Sequence, residues 1–358
     1  MKELKLMKGN EALAEAVIRS GCDAYFGYPI TPQSEVLEYL SAEANKRTGM
    51  IVLQAESEVA SINMVYGAAG TGKLAMTSSS SPGISLMQEG ISYIACAELP
   101  CLIVNVMRGG PGLGTIQPSQ GDYFQAVKGG GHGDYKMIVL APSTVQEMVD
   151  YVRLSFELAF KWKNPVMLLA DGALGQMMEK VEFFEQQPRK TKVEPWATVG
   201  KPKDRERNII TSLHIQPDKM EEINLHLQKK YKAIEEEEIR FEAINCEDAD
   251  IILTAFGLVA RICQKAAQLA KEKGIKVGVF RPQTLFPFPY EALSKLSSSP
   301  KLKGILDVEM NAGQMVEDVR LAVNGKTRVE FHGRMGGVVP SPEEVLAKIE
   351  EKFVGELV

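Results

Sequence analysis

The feature that most constrains the fold of this chain is an alternation of short apolar runs with helical patterns between residues 23 and 171. The apolar runs lie at residues 24–26, 51–53, 74–76, 102–104, 137–140 and 166–169. Uninterrupted apolar runs are typical of strands buried on both faces, and strands separated by helices form parallel sheets. The helix predicted from Thr144 to about Phe160 has apolar residues at helical spacing, which indicates packing. The pattern predicts an α/β fold with a parallel sheet covered on both faces.

A second alternation follows a polar stretch. Residues 181–245 are rich in charge and include the run at 232–238, which predicts a linker with a solvated helix. Beyond it, strands are predicted at 251–254, 277–280, 305–308 and 329–331, with helices near 258–273, 314–323 and 342–353. We therefore expect three parts, which are residues 1–180, a linker at 181–245, and a smaller α/β domain at 246–358.

Charge and cysteine content exclude several classes of function. The 358-residue chain has a net charge of -5, so it lacks the basic field that nucleic-acid binding needs. Its 5 cysteines include no Cys-x-x-Cys pair and its 4 histidines are scattered, which argues against a disulfide framework, an iron–sulfur site or a zinc site. No apolar stretch has the length of a signal peptide or a membrane span, so a cytoplasmic protein without membrane contact is expected.

One candidate catalytic residue follows the second apolar run. Glu58 begins a helical pattern of small residues that reaches Gly67. A carboxyl group that enters apolar packing at such a point can hold a proton on a bound ligand. The alternative is that Glu58 and Glu56 are both N-terminal helix charges that interact with the helix dipole. Because the two side chains are two positions apart, they face different directions on a helix, and we interpret Glu56 as the helix charge.

Two further candidates follow other apolar runs. Thr31 lies between two prolines that restrict the backbone around its hydroxyl, and ligand sites in parallel sheets form at such strand ends. The alternative for Thr31 is a cap on the helix that begins near Ser34. Arg108 opens the glycine-rich turn 109–114, and its planar guanidinium suits the binding of a substrate carboxylate. The alternative for Arg108 is a solvated surface charge.

Two glycine-rich segments imitate nucleotide-binding motifs. Residues 67–74 fit a phosphate loop as far as Lys73, but Leu74 stands where Ser or Thr is required, and the segment runs from helix into strand. The run 109–114 follows a late strand and lacks the acidic residue of a dinucleotide site. We interpret neither as a nucleotide site. The hydroxyls of the serine-rich run 77–83 are expected to cap the helix that follows.

Together these segments resemble the alpha subunits of 2-oxoacid:ferredoxin oxidoreductases. The resemblance covers nearly the whole chain and rests on Tyr28-Pro29-Ile30-Thr31-Pro32, the Glu58 segment, Arg108-Gly109-Gly110-Pro111-Gly112 and Arg281-Pro282-Gln283-Thr284-Leu285-Phe286-Pro287. The loops are most similar to the branched-chain type, the 3-methyl-2-oxobutanoate (2-oxoisovalerate) ferredoxin oxidoreductase alpha subunit. The fold implied is the pyrimidine-domain parallel sheet of thiamine diphosphate enzymes, followed by a transketolase C-terminal-like α/β domain.

The resemblance implies a role for each candidate. Glu58 would bond the pyrimidine ring of thiamine diphosphate, Thr31 would position the oxo group of the substrate, and Arg108 would pair with the substrate carboxylate. Cofactor contacts are implied for Glu58, Tyr28, Pro29, Ile30, Ser81 and Pro82. The reaction implied is oxidative decarboxylation of a branched-chain 2-oxo acid to acyl-CoA and carbon dioxide, with electrons passing to ferredoxin.

The rest of the machinery is expected on partner chains. The family's thiamine diphosphate and Mg²⁺ are held by Gly-Asp-Gly with a downstream Asn, which Ala170-Asp171-Gly172 imitates without that Asn. The resemblance therefore implies a beta subunit that holds the diphosphate with Mg²⁺. It also implies a ferredoxin-like subunit that carries the iron–sulfur clusters, with a gamma subunit as a further candidate, and ferredoxin and coenzyme A as reaction partners. No metal site is expected on this chain.

Two alternatives stay open at the level of the sequence. The chain could be the alpha subunit of a 2-oxoglutarate enzyme, or a non-catalytic subunit that only organises an assembly. Gln33, Ile116 and Gln117 offer neutral rather than cationic surface, which favours a branched-chain substrate. A second substrate carboxylate would be buried without a cation unless a partner chain supplies one.

Overall fold

A computed structural model describes residues 3–355 of the chain and has an α/β architecture built on three β-sheets. The strands are β1 (Glu3–Lys8), β2 (Ala24–Gly27), β3 (Ile51–Gln54), β4 (Ala75–Ser79), β5 (Cys101–Met107), β6 (Ile138–Leu140), β7 (Pro165–Asp171), β8 (Met178–Phe183), β9 (Phe241–Ile244), β10 (Ile251–Thr254), β11 (Val277–Pro282), β12 (Thr284–Phe286), β13 (Gly304–Glu309) and β14 (Val329–Gly333). The helices are α1 (Gly9–Arg19), α2 (Ser34–Thr48), α3 (Glu58–Gly70), α4 (Ser81–Cys96), α5 (Tyr123–Val127), α6 (Val145–Trp162), α7 (Gly172–Gln176), α8 (Pro217–Glu237), α9 (Gly257–Glu272), α10 (Tyr290–Leu296), α11 (Met315–Val323) and α12 (Pro342–Ile349).

The largest sheet has seven strands in the order β12-β6-β7-β5-β4-β2-β3. Its neighbouring strands are parallel except for β12, which is antiparallel to β6. Strands β4, β5, β6 and β7 are buried along their whole length, as expected of a sheet covered by helices on both faces. The edge strand β3 is different, because Ile51 is 53% and Leu53 is 40% exposed.

The second sheet has five strands in the order β14-β13-β10-β11-β9, and only the edge strand β9 is antiparallel to its neighbour. Alternate residues of β10 face different cores. Ile251 and Leu253 pack with residues of α9 and α12, whereas Ile252 belongs to the core that extends through the seven-stranded sheet. The second sheet is therefore packed against the first through shared apolar contacts. The predicted α/β fold class with two parallel sheets is confirmed.

The third sheet was not predicted from the sequence. It pairs β1 with β8 in antiparallel register, from Glu3 opposite Phe183 to Lys8 opposite Met178. The apolar residues of β1 that face outward, Leu4 and Leu6, are 62% and 61% exposed. Among residues 3–355, no helix has the length and apolar character needed to cross a membrane.

The predicted linker at residues 181–245 holds more regular structure than a linker does. It contains the end of β8, the predicted charged helix as α8, and β9, which is part of the second sheet. In the other direction, β12 lies beyond residue 246 in sequence but joins the first sheet. We propose the division into residues 1–180, 181–245 and 246–358. In this division, β12 from the last part joins the first sheet, and β9 from the predicted linker joins the second sheet.

Several helix limits match the sequence and one does not. Helix α6 begins after Thr144, whose hydroxyl accepts a hydrogen bond from the Glu147 N–H at 3.1 Å, a capping arrangement. Gly67 was expected to close the helix that starts at Glu58, but α3 continues to Gly70. Gly67 lies inside the helix, and among residues 3–355 a methyl group at its Cα would meet no atom within 4 Å other than its chain neighbours and the backbone of its own helix.

Candidate active site

The candidate residues meet at one edge of the seven-stranded sheet. Thr31 follows β2, Glu58 follows β3, Ser81 follows β4 and Arg108 follows β5. Because β2, β3, β4 and β5 are parallel neighbours, their carboxyl ends lie side by side. This is the edge at which parallel sheets bind ligands.

Glu58 is the first residue of α3 and is buried. The helix is capped by Ser57, whose hydroxyl accepts a hydrogen bond from the Ala60 N–H at 3.2 Å. Glu58 is 6% exposed, yet its carboxyl group has no hydrogen-bond or ion-pair partner within residues 3–355. Glu56 is exposed, but it lies in the bend before the N-cap residue Ser57, so its interpretation as a residue of the helix is wrong. The carboxyl group of Glu58 therefore keeps its hydrogen-bonding capacity unused within the described part of the chain.

The surroundings of Glu58 are small and polar. A methyl group added to Gly83, in the first turn of α4, would lie 2.0 Å from Ser79 Oγ and 2.7 Å from Glu58 Oε1. Only glycine therefore lets α4 approach the Glu58 carboxyl so closely. The hydroxyls of Ser79 and Ser80 are buried and have no hydrogen-bond partner within the described part of the chain.

The expected capping of α4 by the serine-rich run is wrong. Ser80 occupies the N-cap position, but its side chain makes no capping hydrogen bond, and Pro82 stands in the first turn of the helix. The Ser81 hydroxyl instead donates to Asp122 Oδ2 at 2.6 Å. The hydroxyls of Ser79 and Ser80 therefore keep their hydrogen-bonding capacity unused within the described chain, and Ser79 Oγ lies beside Gly83, as the Glu58 carboxyl does.

The side chain of Arg108 contacts the backbone of Thr31. The guanidinium of Arg108 donates to the Thr31 carbonyl at 2.9 Å and to the Leu113 carbonyl at 3.0 Å, and its Nε has no partner within the described chain. Arg108 is thus held between the two loops rather than solvated alone. Thr31 is exposed and does not cap α2, whose N-cap residue is Gln33 without a side-chain bond.

The remaining predicted contact residues lie at the same edge. Tyr28 and Pro29 are exposed and Ile30 is half-buried, all on the loop that follows β2. Gln33, which was expected to line the substrate surface, is fully buried. Its Oε1 accepts a hydrogen bond from Ser78 Oγ at 2.6 Å, so its side chain faces the sheet interior. That prediction for Gln33 is wrong, whereas Ile116 and Gln117 are exposed.

One part of the site was missed from the sequence. A methyl group at Gly109 would lie 2.9 Å from the backbone of Gly336 and Gly337, and one at Gly337 would lie 2.5 Å from Gln117 Cβ. The glycine-rich loop of the first sheet therefore packs directly on a loop that follows β14. The signal for this contact was the segment Gly333-Arg334-Met335-Gly336-Gly337, in which Gly336 and Gly337 have positive φ.

Asp171 lies in the segment that imitates a Mg²⁺ motif, and its side chain has a structural role. Asp171 Oδ1 accepts hydrogen bonds from the N–H groups of Ala173 and Leu174, both at 3.0 Å, and so caps α7. Burial raises the pKa of Asp171 to about 6, although these backbone hydrogen bonds favour the charged form. Within residues 3–355, no three His, Cys, Asp or Glu side chains converge on a possible metal position.

Two family profiles match the chain and define its class of protein. The profile of the family described as "Pyruvate flavodoxin/ferredoxin oxidoreductase, thiamine diP-bdg" matches residues 15–243. The profile described as "Pyruvate:ferredoxin oxidoreductase core domain II" matches residues 249–345. The chain belongs to this family of thiamine diphosphate-binding 2-oxoacid oxidoreductases.

Two individual relatives show to which members of the family the chain is similar. The chain is 49% identical to the ketoisovalerate oxidoreductase subunit VorB of Methanothermobacter marburgensis, over 97% of each chain. It is 36% identical to the 2-oxoglutarate synthase subunit KorA of Methanocaldococcus jannaschii, over 96% of this chain and 98% of the relative. Both relatives are named as subunits of larger enzymes.

A solved structure has the same architecture. The 2-oxoglutarate:ferredoxin oxidoreductase from Magnetococcus marinus, with 2-oxoglutarate, coenzyme A and succinyl-CoA bound, superposes with a TM-score of 0.86 at 28% identity. The match covers 98% of this chain but 66% of that one, so the solved chain carries further parts. An inactive split-gene transketolase tetramer shares the fold, with a TM-score of 0.59 at 13% identity.

Proposed function

We propose that this chain is the alpha subunit of a thiamine diphosphate-dependent 2-oxoacid:ferredoxin oxidoreductase that acts on a branched-chain 2-oxo acid, with 2-oxoisovalerate preferred. The products are acyl-CoA and carbon dioxide, and the electrons go to ferredoxin. The observation that carries the proposal is the buried Glu58, whose carboxyl group lies beside the unused hydroxyl of Ser79 and has no hydrogen-bond or ion-pair partner among residues 3–355.

These residues fit the pyrimidine ring of thiamine diphosphate. The Glu58 carboxyl can hold a proton on a ring nitrogen, the hydroxyls of Ser79 and Ser80 can bond the polar ring edge, and Gly83 leaves space beside the carboxyl. When bound, the cofactor supplies the carbanion chemistry of decarboxylation, and the protein supplies orientation and electrostatics. Tyr28, Pro29, Ile30, Ser81 and Pro82 are the further contact residues that we propose.

Arg108 and Thr31 form the substrate half of the proposed site. After its two bonds to the Thr31 and Leu113 carbonyls, the guanidinium of Arg108 keeps further N–H groups that can donate to the carboxylate of a 2-oxo acid. The exposed Thr31 hydroxyl is placed by the same arginine and can donate to the 2-oxo oxygen. Arg108 therefore orients the substrate and also holds the loop that carries Thr31.

A partner chain is proposed to cover α3 and α4. The two helices contain only two charged residues, Glu58 and Glu89, although both present side chains to solvent. Val59, Met64 and Leu86 are 47%, 37% and 56% exposed on them. A pair of helices with exposed apolar side chains and so few charges is typical of a protein interface. We assign it to the beta subunit, which would bring the diphosphate and Mg²⁺ half of the site to Glu58.

The remaining parts of the assembly follow from the chain's chemistry. We propose that the iron–sulfur clusters lie on a ferredoxin-like subunit, because the five cysteines of this chain are isolated and four of them are buried. Coenzyme A would be the acyl acceptor, as the ligands named in the solved relative suggest. We place the assembled enzyme in the cytoplasm.

Neutral residues on the loops of the proposed site support the choice of a branched-chain substrate. Ile30 lies on the loop that follows β2, and Leu113 and Ile116 lie on the loop that follows β5. A second substrate carboxylate would need a cation that these apolar residues do not supply. The second candidate substrate is 2-oxoglutarate, which is favoured by the relative named 2-oxoglutarate synthase and by the ligands of the solved structure.

The experiment is a comparison of specificity constants on the complex reconstituted with its beta and iron–sulfur subunits. We expect kcat/KM to be highest for 2-oxoisovalerate and lower for 2-oxoglutarate and pyruvate. A preference for 2-oxoglutarate would transfer the proposal to the second candidate. A complex that assembles but turns over none of the three acids would support a non-catalytic assembly role instead.

A further inference from the structure

Asp122 lies between the two halves of the site without an assigned role. It is the N-cap residue of the short helix α5, yet its side chain makes no capping hydrogen bond. Its carboxyl group is turned toward the ends of β4 and β5. A polar side chain that forgoes the local bonds available at a helix start must be held by other contacts.

Those contacts form a closed hydrogen-bond network. Asp122 Oδ2 accepts from Ser81 Oγ at 2.6 Å and from Asn105 Nδ2 at 2.9 Å. The Oδ1 atom of Asn105 accepts from the Ser81 N–H at 3.2 Å, and Ser81 Oγ accepts from the Arg108 N–H at 3.0 Å. One carboxyl oxygen thus fixes the start of α4, next to the unpaired serines, and the backbone from which Arg108 extends.

The network is not an ion pair. The guanidinium of Arg108 bonds the Thr31 and Leu113 carbonyls, and Lys128, from the end of α5, pairs with Asp318. No lysine or arginine among residues 3–355 forms an ion pair with Asp122. Burial raises the pKa of Asp122, although the bonds from Ser81 and Asn105 lower it. A carboxyl group in such surroundings costs stability, which its hydrogen bonds recover only in part.

We propose that Asp122 is a positioning residue for substrate capture. Its Oδ2 directs the Ser81 hydroxyl proton, so that the oxygen of Ser81 faces and holds the Arg108 N–H. Without Asp122, the Ser81 hydroxyl has the Arg108 carbonyl, at 3.2 Å, as its alternative acceptor, and the turn before the glycine-rich loop loses its fixed geometry. The inference rests on the proposed function, because it assigns Arg108 to the 2-oxo acid.

The test compares Asp122→Ala with Asp122→Asn in the reconstituted complex. In Asp122→Ala, we expect KM for the 2-oxo acid to rise at least about tenfold while the affinity for thiamine diphosphate changes less than about threefold. Because both bonds reach one oxygen, the amide oxygen of asparagine can accept both, and Asp122→Asn should recover most of kcat/KM. The exposed Asp134→Asn is the matched control.

Two further measurements keep the inference open to refutation. Should Asp122→Ala fail to assemble, Ser81→Ala breaks the same link from the other side and must raise KM equally. Crystal structures of the variants give a readout independent of turnover, in which Arg108 must move in Asp122→Ala and stay in Asp122→Asn. An unchanged KM, or an unmoved Arg108, overturns the inference. A wild-type complex inactive toward every 2-oxo acid would count against the proposed function, while the crystal structures would still decide the role of Asp122.

Discussion

Two buried glutamates at the ends of parallel strands have opposite surroundings. Glu309, at the end of β13, accepts hydrogen bonds from Asn311 Nδ2 and from the N–H groups of Gln314, Met315 and Val316, at 2.7 to 3.1 Å. Glu58, just after β3, has no partner within residues 3–355. Burial and position are therefore similar, and hydrogen bonding distinguishes the carboxyl that stabilises the fold from the one left available to a ligand.

The strongest test of this comparison is Glu58→Gln in the assembled enzyme. Turnover should fall at least about a hundredfold, because an amide cannot perform the proton transfer of the acid. The free energy of unfolding of the isolated chain should change by less than about 0.5 kcal/mol, since no internal bond is lost. Steady-state kinetics and urea unfolding measure the two effects. Activity within threefold of wild type would refute the assignment, and Glu56→Gln is the exposed control.

The opposite result is expected for Glu309→Gln. Its amide nitrogen would face two N–H donors, so the isolated chain should lose about 2 kcal/mol of unfolding free energy. Urea denaturation of the isolated chain measures this loss, with the exposed Glu317→Gln on the same helix as the control. If Glu309→Gln were as stable as wild type, hydrogen bonding would not explain the difference between the two glutamates.

Arg108→Lys tests whether Arg108, at the same sheet edge as Glu58, binds the substrate carboxylate. An ammonium cannot reproduce the planar fork of the guanidinium, so kcat/KM for the 2-oxo acid should fall about tenfold, mainly through KM. Calorimetry with thiamine diphosphate should show unchanged affinity. An unaltered kcat/KM would mean that Arg108 serves only the loop.

Leu86→Glu tests the proposed interface next to Glu58. A carboxylate buried under the partner chain should weaken association with the beta subunit at least about tenfold, while the isolated chain keeps its fold. Leu321→Glu is the matched control, because Leu321 on α11 is 64% exposed and Leu86 is 56% exposed. Sedimentation analysis of the mixture measures both, and equal effects of the two changes would contradict the assignment of the face.

The smallest effect is expected for Gly67→Ala in the isolated chain. Gly67 lies within α3 and has free space around its Cα, so alanine should add about 0.5 to 1 kcal/mol of stability. Gly83→Ala is the contrasting change, because its methyl group collides with Ser79 and Glu58. Thermal unfolding compares the two, and equal shifts in Tm would argue against the crowded geometry near Glu58.

Much of the fold could be predicted from local sequence. The apolar runs and helical spacing predicted the parallel strands of both sheets, but not the antiparallel edge strands β9 and β12, because buried strands and amphipathic helices leave periodic patterns within a few residues. Short strands with mixed composition, such as β1 and β9, leave no such pattern. The resemblance to known alpha subunits indicated Glu58, Thr31 and Arg108 before any contact was known.

The sequence by itself determined the fold class and the residue types at the strand ends. Only the tertiary structure decided their partners. It placed Gln33 inside the sheet, turned the Ser81 hydroxyl from a helix cap to Asp122, and brought Gly337 against Gly109. These contacts join residues far apart in the chain, so they depend on global packing rather than on local sequence.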